Sequence, residues 1–252
     1  MKIESNMSLG EVSISSSGTT VLRFLIPRSQ RRKFFIQFTL MTFTGWVVGG
    51  IASIAIEKYL LQTLSPGLLQ QQPSWDGWVK SISSVVFAMI FAADQALVLR
   101  RYLSAWWLWM LATSVGWLAS NNVSTAWIEY ISSIANSLNK TLSFEDVIFF
   151  GGLSTISYVL SGIWLGFLQW LVLRRKTAGA WWWNFLPSFS YLCISLFVWL
   201  LSFLQDLIPE VSRAQILYLS GQALTAIILG VIPAIGFCRL KIYSRRITAR
   251  RR

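Results

Sequence analysis

The sequence predicts an all-α fold: a polytopic membrane helix bundle of about six transmembrane helices, with a parallel internal repeat of helical hairpins. Three observations predict it. Of the 252 residues, 54% are hydrophobic, and the mean hydropathy is +0.55. A water-soluble domain mixes apolar with polar residues far more evenly, so this composition calls for the bilayer core as solvent. The apolar residues fall into six long runs. The basic residues raise the net charge to +12 although only 13% of the chain is charged, and they sit between those runs in alternation.

Residues 1–33 read as a basic tail, disordered over 1–20. Within it, 21–27 is a short apolar patch beside Arg28, Arg31, Arg32 and Lys33, a composition suited to lying on a membrane surface. The transmembrane domain is expected over 34–240, with spans near 34–56, 78–99, 104–120, 147–173, 181–204 and 216–240. A crossing helix needs roughly 20 residues and at least about 17; the third run is the shortest. Residues 128–138 suit a separate short helix on the far surface, and 241–252 form a second basic tail. Pro187 and Pro233 are expected to kink the fifth and sixth spans.

Lys and Arg set the orientation. Eighteen of the 22 lie in the two tails and in two turns, Arg100-Arg101 and Arg174-Arg175-Lys176, whereas only Lys58, Lys80, Lys140 and Arg213 lie on the other side. By the positive-inside rule both termini are cytoplasmic. Glu57, Asp76, Glu129, Glu145, Asp146, Asp206 and Glu210 all fall on the poorly basic side. Trp106, Trp107 and Trp109 follow one Arg pair, and Trp181, Trp182 and Trp183 follow the other. Indole has an apolar body and a polar N–H, so these clusters read as interfacial anchors. Arg100, Arg101, Arg174, Arg175, Trp107 and Trp181 are the expected cytoplasmic anchors.

Residues 77–120 align with 151–194 without gaps at a shift of 74, with 14 identities in 44 positions. Gln95, Leu97, Val98, Leu99, Arg100 and Arg101 fall on Gln169, Leu171, Val172, Leu173, Arg174 and Arg175; Trp107 and Trp109 fall on Trp181 and Trp183. Apolar composition alone matches Leu and Val by chance, but not Gln, Arg and Trp in register. The first span carries Gly45-Trp46 as the third carries Gly116-Trp117, so the sixth and first spans suggest a third, permuted unit. Small residues spaced four apart, Gly45 with Gly49, Gly162 with Gly166 and their repeat partners Ala88 with Ala92, are candidate helix-packing positions.

The segments Gln95-to-Trp107 and Gln169-to-Trp181 resemble a pattern in cyanobacterial multi-pass membrane proteins. There, a Gly/Ala-rich span ends in Gln-Trp-Leu-Val-Leu-Arg-Arg and a Trp-rich span ending in Gly-Trp follows. The second copy here matches the motif in full; the first has Ala96 for Trp, and Ser190-Tyr191 replaces the second Gly-Trp. The resemblance implies an integral membrane protein of a photosynthetic bacterium, in its plasma or thylakoid membrane, and supplies no activity.

Histidine is absent, which removes the commonest general base and metal ligand. No nucleophile–base pair, Gly-rich phosphate loop or metal-ligand spacing appears, so no catalytic, cofactor or metal site is expected. Lys and Arg do not line the face of a folded domain, which argues against nucleic acid. Cys193 and Cys238 sit in apolar runs as small hydrophobes. Candidate polar sites inside the membrane are Asp94, Gln95 and Gln169. Asp94 suits an ion pair with Arg101 or another Arg, or else a cation or proton site in the bundle. Gln95 and Gln169 suit capping of their helix or bonding across helices. Ser154, Thr155, Ser157, Tyr158 and Ser161 crowd the fourth span. The expected function is a non-enzymatic scaffold or accessory protein, its partners being the bilayer and either a membrane protein or a second copy. The alternative is a small transporter or channel with Asp94 in its path.

Overall fold

The computed structural model describes residues 20–63, 74–137, 143–204 and 207–245. Six helices dominate it: α1 (Arg31–Thr63), α2 (Ser74–Leu99), α3 (Trp106–Ser137), α4 (Phe144–Leu173), α5 (Leu186–Leu204) and α6 (Glu210–Arg239). Each packs on its neighbours in sequence, and α6 returns to pack on α1, so the six close into a ring. All but α3 are long and apolar enough to cross a membrane. α3 is 32 residues long. It falls short on hydropathy because it carries polar side chains, yet Thr113, Ser114, Ser120 and Ser124 among them are buried in the bundle. Outward-facing side chains are apolar: Leu40, Phe149, Leu196 and Phe203 are all more than 60% exposed. An apolar surface of this extent is at home in hydrocarbon rather than water. The chain is a multi-pass helical membrane protein.

Several boundaries differ from the sequence expectation. α3 runs unbroken to Ser137, so the separate surface helix expected over 128–138 is, as far as Ser137, its last turns; residue 138 lies outside the described residues. α4 starts at Phe144 because Ser143 caps it: the Ser143 side chain accepts from the Asp146 N–H while the Asp146 carboxylate accepts from the Ser143 backbone. Pro187 lies in the first turn of α5, where no N–H donation is required, and so starts that helix rather than kinking it. Pro233 is inside α6.

The tails also differ. Residues 1–19 and 246–252 lie outside the described residues, but β1 (Thr20–Phe24) and β3 (Lys241–Arg245) are strands. They pair antiparallel, and β3 also pairs with β2 (Thr177–Ala178), giving the order β1-β3-β2. The patch over 21–27 is therefore partly a strand of this sheet. Its Leu25 and Ile26 are buried in the core, and the Leu25 N–H donates to the Leu240 carbonyl at 2.8 Å. Both ends of the described chain and the α4–α5 turn thus meet at one end of the bundle, here called the basic end. Above this sheet, Phe34, Phe38, Leu99, Trp109, Leu173, Trp183 and Phe237 close the ring from all sides.

Candidate functional site

Lipid gives no hydrophobic driving force between helices, so close backbone approach and interhelical hydrogen bonds carry the packing. The small residues supply the approach. A Cβ on Gly162 would lie 2.8 Å from the Ser188 backbone, and one on Gly166 only 2.2 Å from the Asn184 carbonyl oxygen. Gly49 meets Phe87, and Ala88 and Ala92 are fully buried, with Ser114 Oγ donating to the Ala88 carbonyl at 3.2 Å. These faces are filled within the chain, so they are not available to a second copy or a partner.

Gln169 staples three elements. Its Nε2 donates to Thr113 Oγ1 at 3.1 Å, and its Oε1 accepts from Trp183 Nε1 at 2.9 Å. Gln95 is equally buried but makes no hydrogen bond among the described residues. Trp107 and Trp181 are exposed beside the exposed Arg100, Arg101, Arg174 and Arg175, and the Arg174 guanidinium lies 5.2 Å from the Trp170 ring centre. Trp109 and Trp183, grouped with the anchors in the sequence, are instead core residues, 5.7 Å apart and both against Phe237.

Asp94 forms no ion pair with Arg101 or another Arg among the described residues. Its carboxylate points at Gly45, where an added Cβ would come within 2.8 Å of Oδ2. It has no ion-pair or hydrogen-bond partner among the described residues, and it lines none of the cavities described below. Position along the chain did not reveal its rotation toward α1.

The polar volume lies elsewhere. A cavity of about 240 Å³ is walled by Trp46 of α1, Trp117 and Ser120 of α3, Tyr158 of α4, Tyr191 of α5 and Gln222 of α6. At 1.5 Å per residue, Trp46, Ser120 and Gln222 stand roughly 20–26 Å from the basic ends of their helices, so the cavity lies near the mid-length of the bundle. Trp46 Nε1 donates to Gln222 Oε1 at 2.9 Å. Ser120 Oγ lies 3.1 Å from Ser161 Oγ and donates to the Tyr191 hydroxyl at 3.3 Å, while Tyr158 and Tyr191 stack at 4.6 Å. Asn121 is shared with a larger cavity of about 690 Å³ between α1, α2 and α3, whose walls include Glu57, Lys80, Ser84, Asn122 and Glu129. Trp117, one wall of the small cavity, packs against Phe87 and Phe91, and the three ring centres are 5.3–5.9 Å apart.

The small cavity holds hydroxyls, amides and aromatic faces but no charged side chain, a lining for neutral hydrogen-bonding matter. Among the described residues no three His, Cys, Asp or Glu side chains converge, and Cys193 and Cys238 are free thiols. Sequence reasoning missed Trp46, Trp117, Tyr191 and Ser120 as pocket residues. The available signal was the shared position of Trp46, Trp117 and Tyr191 after Gly45, Gly116 and Ser190. Fold and cavity together define a polytopic helical membrane protein with a polar pocket near mid-length of the bundle. Compared with protein-family models, curated proteins and solved structures, the chain matches none.

Proposed function

We propose that the chain is a non-enzymatic membrane scaffold or accessory protein of six spans, with both ends cytoplasmic. The observation that carries this reading is the closure of the basic half. A conduit needs a wettable path from face to face, whereas Trp117, a wall of the small cavity, packs against the apolar rings of Phe87 and Phe91. Toward the sheet lies the core of Phe34, Phe38, Leu99, Trp109, Leu173, Trp183 and Phe237. Counting α3 as a span rests on its place in the ring and on β1–β3 pairing: strands that meet at one end of the bundle require an even number of crossings.

Three parallel hairpins, α2–α3, α4–α5 and α6–α1, are the architecture we infer. Ala88 with Ser114 and Gly162 with Ser188 are equivalent pairs under the 74-residue shift, and both are interhelical contacts. Trp46, Trp117 and Tyr191 meet in one cluster, with centroids 5.5 and 6.4 Å apart. Gly230 of α6 packs on Thr39 of α1 to join the third pair. The motif resemblance adds a cyanobacterial plasma or thylakoid membrane as the setting. A partner, whether another membrane protein or a second copy, meets the lipid-facing sides, because the small-residue faces are used internally.

The test is reconstitution into sealed vesicles. The scaffold reading predicts proton, cation and small neutral solute fluxes equal to those of empty vesicles, and a defined partner or oligomer after mild solubilisation. The polar pocket favours one other reading, an outward-facing transporter that uses Gln222 and Ser120 rather than Asp94. Flux abolished by Ser120→Leu, at unchanged folding, replaces the scaffold reading with that one.

A further inference from the structure

The basic end presents cations without anions at one built position. Strand pairing sets Phe24 opposite Lys241 in register. The 3-10 turn Arg28–Gln30 and the first residue of α1 then fold Arg28 and Arg31 back over the same ring. Three cationic groups therefore surround one phenyl face: Arg31 Cζ lies 4.3 Å from its centroid, Arg28 Cζ 5.7 Å and Lys241 Nζ 5.9 Å. The ring quadrupole attracts each of them. It does not remove the repulsion among three like charges held within 5.9 Å of one ring centre.

No protein carboxylate relieves this cluster among the described residues. The described acids lie at the opposite end of the bundle except Asp94, which packs against Gly45, roughly 21 Å along α1 from Arg31 at 1.5 Å per residue. Arg31 is the most telling member. Its Nε and Nη2 are buried and have no hydrogen-bond partner among the described residues. A guanidinium is a planar donor fork that matches two oxygens of a phosphate or carboxylate, and here part of that fork is withdrawn from water with nothing to accept from it. Arg31 begins α1 and Lys241 follows the end of α6, so the cluster stands at the level of lipid headgroups.

We propose that Arg28, Arg31 and Lys241, grouped around Phe24, bind the phosphate of an anionic phospholipid in the leaflet at the basic end. The phosphodiester supplies paired acceptor oxygens for the Arg31 fork and a full negative charge for the cluster. Its two neighbours, Arg28 and Lys241, are exposed and close on it from either side. The site needs the bilayer setting but not the scaffold reading: it stands whether or not the protein moves a solute.

The experiment uses the full chain in vesicles of phosphatidylcholine with phosphatidylglycerol, re-extracted in neutral detergent, with retained lipid read by native mass spectrometry. The double variant Arg28→Gln/Lys241→Gln, changing exposed residues only, should retain phosphatidylglycerol about tenfold less well than the unaltered chain, as should Arg31→Gln. Both should melt in phosphatidylcholine vesicles as the unaltered chain does, which separates lost binding from lost folding; if Arg31→Gln unfolds, the double variant alone decides. Arg100→Gln/Arg175→Gln, equally exposed at the same end, should retain it in full. Equal loss in that control would mean diffuse surface charge and overturn the site. Retention of phosphatidylcholine as strong as that of phosphatidylglycerol would overturn it too. Inorganic phosphate at millimolar concentration that displaced the lipid completely would assign the site to a soluble anion instead.

Discussion

Gln169 shows how one side chain holds three elements in a medium where water cannot compete. Its amide donates from one atom and accepts at another, whereas an indole only donates. Gln169→Leu leaves Trp183 Nε1 and Thr113 Oγ1 buried without partners. Unpaired buried groups cost about 1–3 kcal/mol each in soluble proteins, and interhelical bonds in membranes average about 0.6 kcal/mol. We therefore expect Gln169→Leu to destabilise the bundle by roughly 1–3 kcal/mol in a denaturant titration in mixed micelles. Gln95→Leu, which breaks no hydrogen bond among the described residues, should cost markedly less. Asp94 tests a different contact. Gly45→Ala pushes a methyl against the carboxylate and should cost about 1–3 kcal/mol by overpacking. Adding Asp94→Ala should recover part of that loss, because the closest clash is with a side-chain oxygen. A purely additive double-mutant cycle would contradict this contact.

Helix pairs differ in how much a glycine matters to them. At Gly166 an added methyl meets the Asn184 backbone at 2.2 Å, and backbone cannot rotate away; at Gly152 nothing lies within 4 Å. Gly166→Ala should therefore abolish or severely weaken α4–α5 packing, whereas Gly152→Ala should be neutral or slightly stabilising through helix propensity. Melting curves of the two variants side by side check this ordering. The sequence made the helices legible because hydrocarbon forces every crossing segment to satisfy its own backbone, leaving long apolar runs with cationic ends. It left β1 unread because a strand of 5 residues pairs with one more than 200 residues later, beyond any local pattern. Asn121-Asn122 read as the start of a loop, yet Asn121 borders two cavities along an unbroken α3. Interfacial and core tryptophans were indistinguishable by spacing from the Arg pairs. Trp107 and Trp109 are two residues apart, which on a helix is more than half a turn and places them on opposing sides.

Across the molecule, polarity is layered along the ring. The basic end carries the sheet and its cations, next comes a dry aromatic core, then a neutral polar cavity, and last a wider cavity bordered by Glu57, Lys80 and Glu129. Depth along each helix was legible from the positions of Arg and Trp. Which residues share a layer on the inner wall was not, because that depends on helix rotation, and only Trp46, Trp117 and Tyr191 carried a hint of it through their equivalent positions. The arrangement brings β1 and β3, at the two ends of the described chain, together at one end of the bundle, and the six-span reading predicts that they share one compartment. Single-cysteine accessibility in sealed, oriented cells, after Cys193→Ser and Cys238→Ser, measures this directly. Ser137→Cys at the end of α3 and Ser104→Cys in the α2–α3 turn are both at exposed positions. Six crossings with a cytoplasmic basic end predict that a membrane-impermeant maleimide labels Ser137→Cys in intact cells, and Ser104→Cys only after permeabilisation. Labelling of both in intact cells, or of neither until permeabilisation, would mean that α3 does not cross and would contradict the six-span bundle.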